Sequence, residues 1–172
     1  MPDGILLVRH GESTWNAEGR WQGQGDPPLS PRGEEQARAL AACLREEKPS
    51  SIVASDLRRA ADTARILGAE LGLVPRFDAR LREHDVGAWS GLPHEEIAAR
   101  WPEQLARFRA GDLDVRPGGG ESRREMIARA RAALAALRTE HPGRLLLVSH
   151  RGWIRAVAAE ARLENCEVWR LE

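Results

Sequence analysis

The sequence predicts an α/β fold, a three-layer sandwich around a mostly parallel open sheet with a small helical lid. Short aliphatic runs alternate with amphipathic helical patterns, which is how strand–helix units read. Two of those runs, "LLVRH" ending at His10 and "LLVSH" ending at His150, are near copies, and each stops at a histidine. Chemistry-bearing residues also cluster just after the aliphatic runs, and in parallel open sheets ligands collect at the carboxyl ends of strands.

Taken in order, residues 5–9 read as the first strand. Ser30 caps a helix that Pro31 opens, because a serine oxygen can accept a free backbone N–H and proline's fixed φ suits the first helical position. Ala37, Leu40, Ala41 and Leu44 share one face of it. Residues 51–54 are a second strand. A helix follows from about Leu57, with Ala60, Ala64, Leu67 and Leu71 inward and Gly72 as a left-handed end. Residues 73–77 read as a third strand. Residues 84–121 differ in character, with Trp89, Trp101, Phe108 and the run Gly118 to Gly120. Short helices are expected near 93–100 and 103–110, and the segment reads as the lid of a single domain spanning 1–172. Ser122 and Glu125 form a capping box for a helix reaching about Glu140, with Ile127, Ala130, Leu134 and Leu137 as its buried stripe. Residues 144–150 are the clearest strand, and 152–162 read as a final helix.

Composition narrows the function classes. Formal net charge is zero, which argues against a sequence-independent nucleic-acid binder. No segment has the length of a membrane span and no signal peptide is read, so a cytoplasmic protein without a membrane partner is expected. Cys43 and Cys166 lack metal or redox spacing and read as incidental thiols. Arginine dominates the basic residues, with Lys48 the sole lysine. A guanidinium offers a planar fork for phosphate or carboxylate oxygens.

The residues after the strand ends suit phosphoryl transfer. Arg9 and His10 follow the first strand, Arg58 and Arg59 follow the second, Glu83 follows the third, and His150 follows the fourth. Arginine forks match the charged equatorial oxygens of a transferring phosphoryl group. A neutral imidazole can attack phosphorus, and a carboxylic acid can protonate the leaving oxygen. A metal site from His10, His84, His94 and Glu96 lacks ligand spacing.

"RHGES", "SDLRRAADTA", "LREHDVGAWSG" and "VSHRG" together resemble the motifs of the histidine phosphatase, or phosphoglycerate mutase-like, superfamily, and their order agrees from residue 4 to about 160. The resemblance implies a metal-independent, broad-specificity phosphatase of the short bacterial type, with no cofactor. It implies His10 as the phosphorylated nucleophile, Glu83 as proton donor, and Arg9, Arg58 and His150 as phosphoryl-binding groups. Asn16, Gln22 and Gly23 would line the phosphate pocket. Arg59 reads instead as a surface or ion-pair residue, and His84 as a solvated loop histidine.

Arg151 departs from the family pattern, which has glycine there, and suggests an extra anionic group on the substrate. Hydrolysis of a small phosphorylated metabolite is the expected activity: a sugar phosphate, a phosphoglycerate derivative or ribazole phosphate. The alternatives are mutase-type phosphoryl transfer and a silent phosphate-binding domain. The short 84–121 segment favours water as acceptor, since a mutase must keep its phosphohistidine dry. Trp101, Phe108 and Arg109 would set substrate choice, and Trp89 would shape the pocket. A homodimer rests on the resemblance alone.

Overall fold

The computed structural model describes residues 4–171. Its sheet holds five strands in the order β3-β2-β4-β1-β5. These are β1 (Gly4–Arg9), β2 (Ser51–Ala54), β3 (Arg76–Phe77), β4 (Arg144–Ser149) and β5 (Val168–Leu171). All neighbours run parallel except β5, which pairs antiparallel with β1. The α/β architecture with a mostly parallel open sheet is therefore as the sequence predicts. The third strand is shorter than the 73–77 run, and β5 lies where no strand was expected.

Side-chain alternation builds the two cores. Ile5, Leu7, Val53, Leu145 and Leu147 point to one face. There they meet α6 (Arg123–Glu140) and α7 (Arg151–Val157) through Met126, Ala130, Ala133, Leu137, Trp153 and Ile154. Leu6, Val8, Ile52, Ala54, Leu146 and Val148 point to the other. They pack on α2 (Pro31–Glu47) and α3 (Arg58–Leu71) through Ala41, Leu44, Ala60, Ala64 and Leu67. Removing a side chain such as Leu7 or Leu146 would cost about 2–5 kcal/mol by cavity formation.

Local signals explain the helix ends. Ser30 accepts the Gly33 N–H at 3.1 Å. Ser122 and Glu125 close a reciprocal capping box. Gly72 ends α3 at φ 70°. The last helix, α7, stops at Val157, short of the expected 162. A further short helix, α1 (Thr14–Ala17), is capped by Ser13 and Asn16.

Residues 84–121 carry α4 (His94–Arg100) and α5 (Pro102–Arg109) around a small apolar cluster of Val86, Trp89, Ile97 and Leu105. Trp89 is fully buried in this cluster and does not line the cleft described below, contrary to expectation. Among the described residues, no helix is long and apolar enough to cross a membrane.

Candidate active site

The site forms where β1 and β4 end side by side. Their register pairs Arg9 with Ser149, and the His10 N–H donates to the Ser149 carbonyl at 3.0 Å. His10 and His150 therefore leave the sheet together, and their ring centroids lie 5.1 Å apart. The near-identical strand sequences produce this pairing, because the same apolar register brings the two histidines level.

His10 is 3 % exposed, and its tautomer follows from its two partners. Nδ1 lies 2.6 Å from the Gly11 carbonyl, which can only accept, so Nδ1 carries the proton. Nε2 lies 3.3 Å from Arg59 Nε, which can only donate, so Nε2 presents a lone pair. Burial, then the nearby Arg59 charge, holds the His10 pKa well below its ordinary value, which keeps the ring neutral. The Gly11 turn is itself fixed. Its N–H donates to Thr63 Oγ1 at 3.0 Å, and a Cβ on Gly11 would lie 2.5 Å from the Gly33 carbonyl oxygen.

The arginine beside His10 is Arg59, and this corrects the sequence expectation. Arg59 is 1 % exposed and donates Nη1 to the Gly25 carbonyl and Nη2 to the Gly23 carbonyl, both at 2.8 Å. Burial lowers its pKa to about 10, so it remains a cation at neutral pH. Arg58 opens α3 on the solvent side and borders a separate surface depression with Asp62 and Arg65. Helix phase is the reason. Arg58 shares its face with polar Asp62 and Arg65, whereas Arg59 shares the inner face with Thr63. That phase was readable in the sequence.

His150 is fully buried, with Nε2 2.8 Å from Ser55 Oγ and Nδ1 without a partner among the described residues. Arg9 donates Nη1 to the Leu163 carbonyl at 3.0 Å, and its Nε is likewise buried and, among the described residues, unpartnered. Burial, then repulsion from Arg59 and His10, lowers the His150 pKa well below its usual value. Buried polar atoms left open in a native fold call for a ligand or a functional reason. A phosphoryl oxygen would satisfy both.

Glu83 is placed by two backbone donors. The His84 N–H reaches Oε1 at 2.8 Å and the Gly152 N–H reaches Oε2 at 3.1 Å. A Cβ at position 152 would sit 2.3 Å from Glu83 Oε1. The glycine this site needs is therefore Gly152, and Arg151 in place of a preceding glycine leaves the geometry intact. Arg129, which sequence reading missed, fixes the same loop. Its guanidinium donates to the carbonyls of Arg80, Arg82 and Glu83 and pairs with Glu121.

Arg9, His10, Gln22, Gly23, Arg59, Glu83 and Arg151 share one cleft of about 950 Å³, whereas His150 lies fully buried behind its wall, in ring contact with His10. Phe108 and Arg109 reach it from α5. Trp101 packs with Trp89 instead. Asn16 does not line the cleft, because its Oδ1 accepts the Ser13 N–H at 3.0 Å in the α1 cap. His84 is no solvated loop residue: it is 8 % exposed, stacked on Phe108, with Nε2 2.6 Å from the Glu121 carbonyl.

Fold and site together set a buried imidazole among guanidinium groups at the strand ends of an α/β sheet, an arrangement suited to phosphoryl chemistry. The chain belongs to the histidine phosphatase superfamily (branch 1), whose family pattern it matches over residues 5–172. A curated relative, glucosyl-3-phosphoglycerate phosphatase of Mycobacterium tuberculosis, is 43 % identical over 164 residues, covering 90 % of this chain and 73 % of its own length. Probable phosphoglycerate mutase GpmB of Salmonella paratyphi C is 40 % identical over 185 residues, covering 98 % and 84 %. A solved mycobacterial glucosyl-3-phosphoglycerate phosphatase in complex with VO3 superposes with a TM-score of 0.91 at 37 % identity, covering 99 % of this chain and 91 % of that one.

Proposed function

We propose that the chain is a phosphomonoester hydrolase that acts on small phosphorylated metabolites through a phosphohistidine at His10. One observation carries this reading: a neutral, buried imidazole whose unprotonated Nε2 faces a guanidinium, with its Nδ1 proton held by a backbone carbonyl. The phosphatase relatives and the family membership support the same class.

In the first half-reaction the Nε2 lone pair attacks phosphorus and the ester P–O bond breaks. The leaving oxygen takes a proton from Glu83 in its protonated form. Arg9, Arg59 and His150 supply donors to the phosphoryl oxygens, and loss of one such preorganised donor costs about 10²–10³ in rate. In the second half-reaction the Glu83 carboxylate accepts a proton from water. The water oxygen bonds to phosphorus, the P–N bond breaks, and its electron pair returns to Nε2. Cationic side chains neutralise the phosphoryl charge in this scheme, so no metal step is required. The unpaired Cys43 and Cys166 fit a reducing compartment, and we place the protein in the cytoplasm.

Rapid-quench labelling with a ³²P-phosphomonoester tests the reading. Wild type should form an acid-labile phosphoenzyme that decays to inorganic phosphate, and His10→Ala should abolish the label. Normal labelling of the His10 variant would overturn the assignment. Transfer of the label mainly to a second hydroxyl would make the enzyme a mutase.

A further inference from the structure

The cleft carries positive charge that the chemistry above does not use. Arg123 on α6 and Arg151 and Arg155 on α7 line it beside Met126, Ile127 and Ala156. Arg151 and Arg155 stand at i and i+4, so they share a helix face, and like charges at that spacing oppose each other. Among the described residues neither has a hydrogen bond or a carboxylate partner. Many arginines of this chain are answered by acids, as Arg82 is by Asp56 and Arg124 by Asp114. Arg123 lies 4.7 Å over the Phe108 ring and donates Nη2 to the Phe108 carbonyl, which fixes its guanidinium without neutralising it. Among the described residues Glu83 is the sole carboxylate that lines the cleft, and backbone donors already engage both its oxygens. Burial and then Arg162, Arg151 and Arg123 lower the Arg155 pKa, and no acid opposes them.

We propose that Arg123, Arg151 and Arg155 form an oxyanion subsite that holds a second anionic group of the substrate, a carboxylate or a second phosphate. The inference rests on the phosphatase reading, in which His10 and Arg59 hold the scissile phosphoryl group. Guanidinium forks bind either oxyanion with short charge-assisted bonds, and the apolar side chains beside them strengthen such bonds relative to open water. The preferred ester therefore has one anion at each end of a short carbon frame.

Steady-state kinetics on two matched pairs test this. One pair is 3-phosphoglycerate against glycerol 3-phosphate, and the other is 1,3-propanediol bisphosphate against propyl phosphate. Wild type should favour the doubly anionic ester of at least one pair by about tenfold or more in kcat/KM, the scale of a charged hydrogen bond. The pair that shows the preference identifies carboxylate or phosphate as the group held. Arg151→Gln with Arg155→Gln, and separately Arg123→Gln, should bring that ratio toward one. Arg162→Gln removes a neighbouring charge that does not line the cleft and should leave the ratio unchanged. Ratios near one in wild type, equal losses on both esters in the variants, or the same collapse in Arg162→Gln would each overturn the subsite. Failure of wild type to hydrolyse any of the four esters, with no phosphoenzyme formed, would overturn the phosphatase reading and the subsite with it.

Discussion

Arg59 is held at every nitrogen that matters: Nη1 on Gly25, Nη2 on Gly23 and Nε on His10 Nε2. The two carbonyls aim the fork and leave Nε as the donor beside the nucleophile. A lysine ammonium cannot reproduce that planar geometry. Arg59→Lys should therefore lower kcat/KM by about 10²–10³ on any phosphomonoester, the usual effect of losing a preorganised donor. Arg58→Ala should change it by less than about twofold, since an exposed side chain away from the cleft contributes little. A larger loss in the Arg58 variant than in the Arg59 variant would reverse the assignment. The two arginines are adjacent in sequence, and composition alone treats them alike. Only the helical phase separates them, with Thr63 one turn after Arg59 and Asp62 one turn after Arg58. Asn16 shows the opposite problem. Its place after the first motif suggested a ligand-facing amide, yet the cap of α1 takes its side-chain oxygen.

Between elements, the loop that bears Glu83 matters most. It crosses from β3 toward α4 between two single 3-10 turns, Ala79–Leu81 and Gly87–Trp89, and α6 restrains it through Arg129. Arg129 touches none of the reacting atoms and acts as a positioning residue. In Arg129→Met the acid should wander while the nucleophile stays in place. Turnover of an alkyl phosphate, whose poor leaving group needs a proton, should fall by about tenfold or more, in the range that general acid catalysis contributes. Turnover of p-nitrophenyl phosphate, whose leaving group departs without one, should fall far less. Equal losses on both substrates would show that Arg129 serves the fold alone. Helices α2, α3 and α6 were legible because their caps and periodicity are local signals in Ser30, Pro31, Gly72, Ser122 and Glu125. Arg129 was not, because the loop it holds offers it backbone carbonyls more than forty positions away, and a sequence pattern carries no trace of them.

Across the whole molecule, the segment after α7 closes the sheet and secures Arg9. Leu163 offers its carbonyl to Arg9 Nη1, Asn165 donates to the His10 carbonyl at 3.0 Å, and Cys166 donates its N–H to the Arg9 carbonyl at 2.9 Å. β5 then covers the open edge of β1. This strand escaped sequence reading because an edge strand with one solvated face shows too little apolar alternation over Val168 to Leu171. The turn into it places Cys166 at φ 58°, a conformation that non-glycine residues adopt at a cost. The segment therefore stays seated only while its contacts with β1 and the His10 turn persist. Its thiol gives a way to watch it. Burial pushes the Cys166 pKa up to about 12, so thiolate is scarce at pH 8, whereas Cys43 is exposed on α2. Iodoacetamide at pH 8 should modify Cys43 quickly and Cys166 only as the segment opens. Inorganic phosphate should slow the second modification further, because an anion bound at Arg9 favours the closed form by mass action. Peptide mass spectrometry over time would resolve the two sites. Equal alkylation of both thiols, or a Cys166 rate indifferent to phosphate, would show that Arg9 does not depend on this segment.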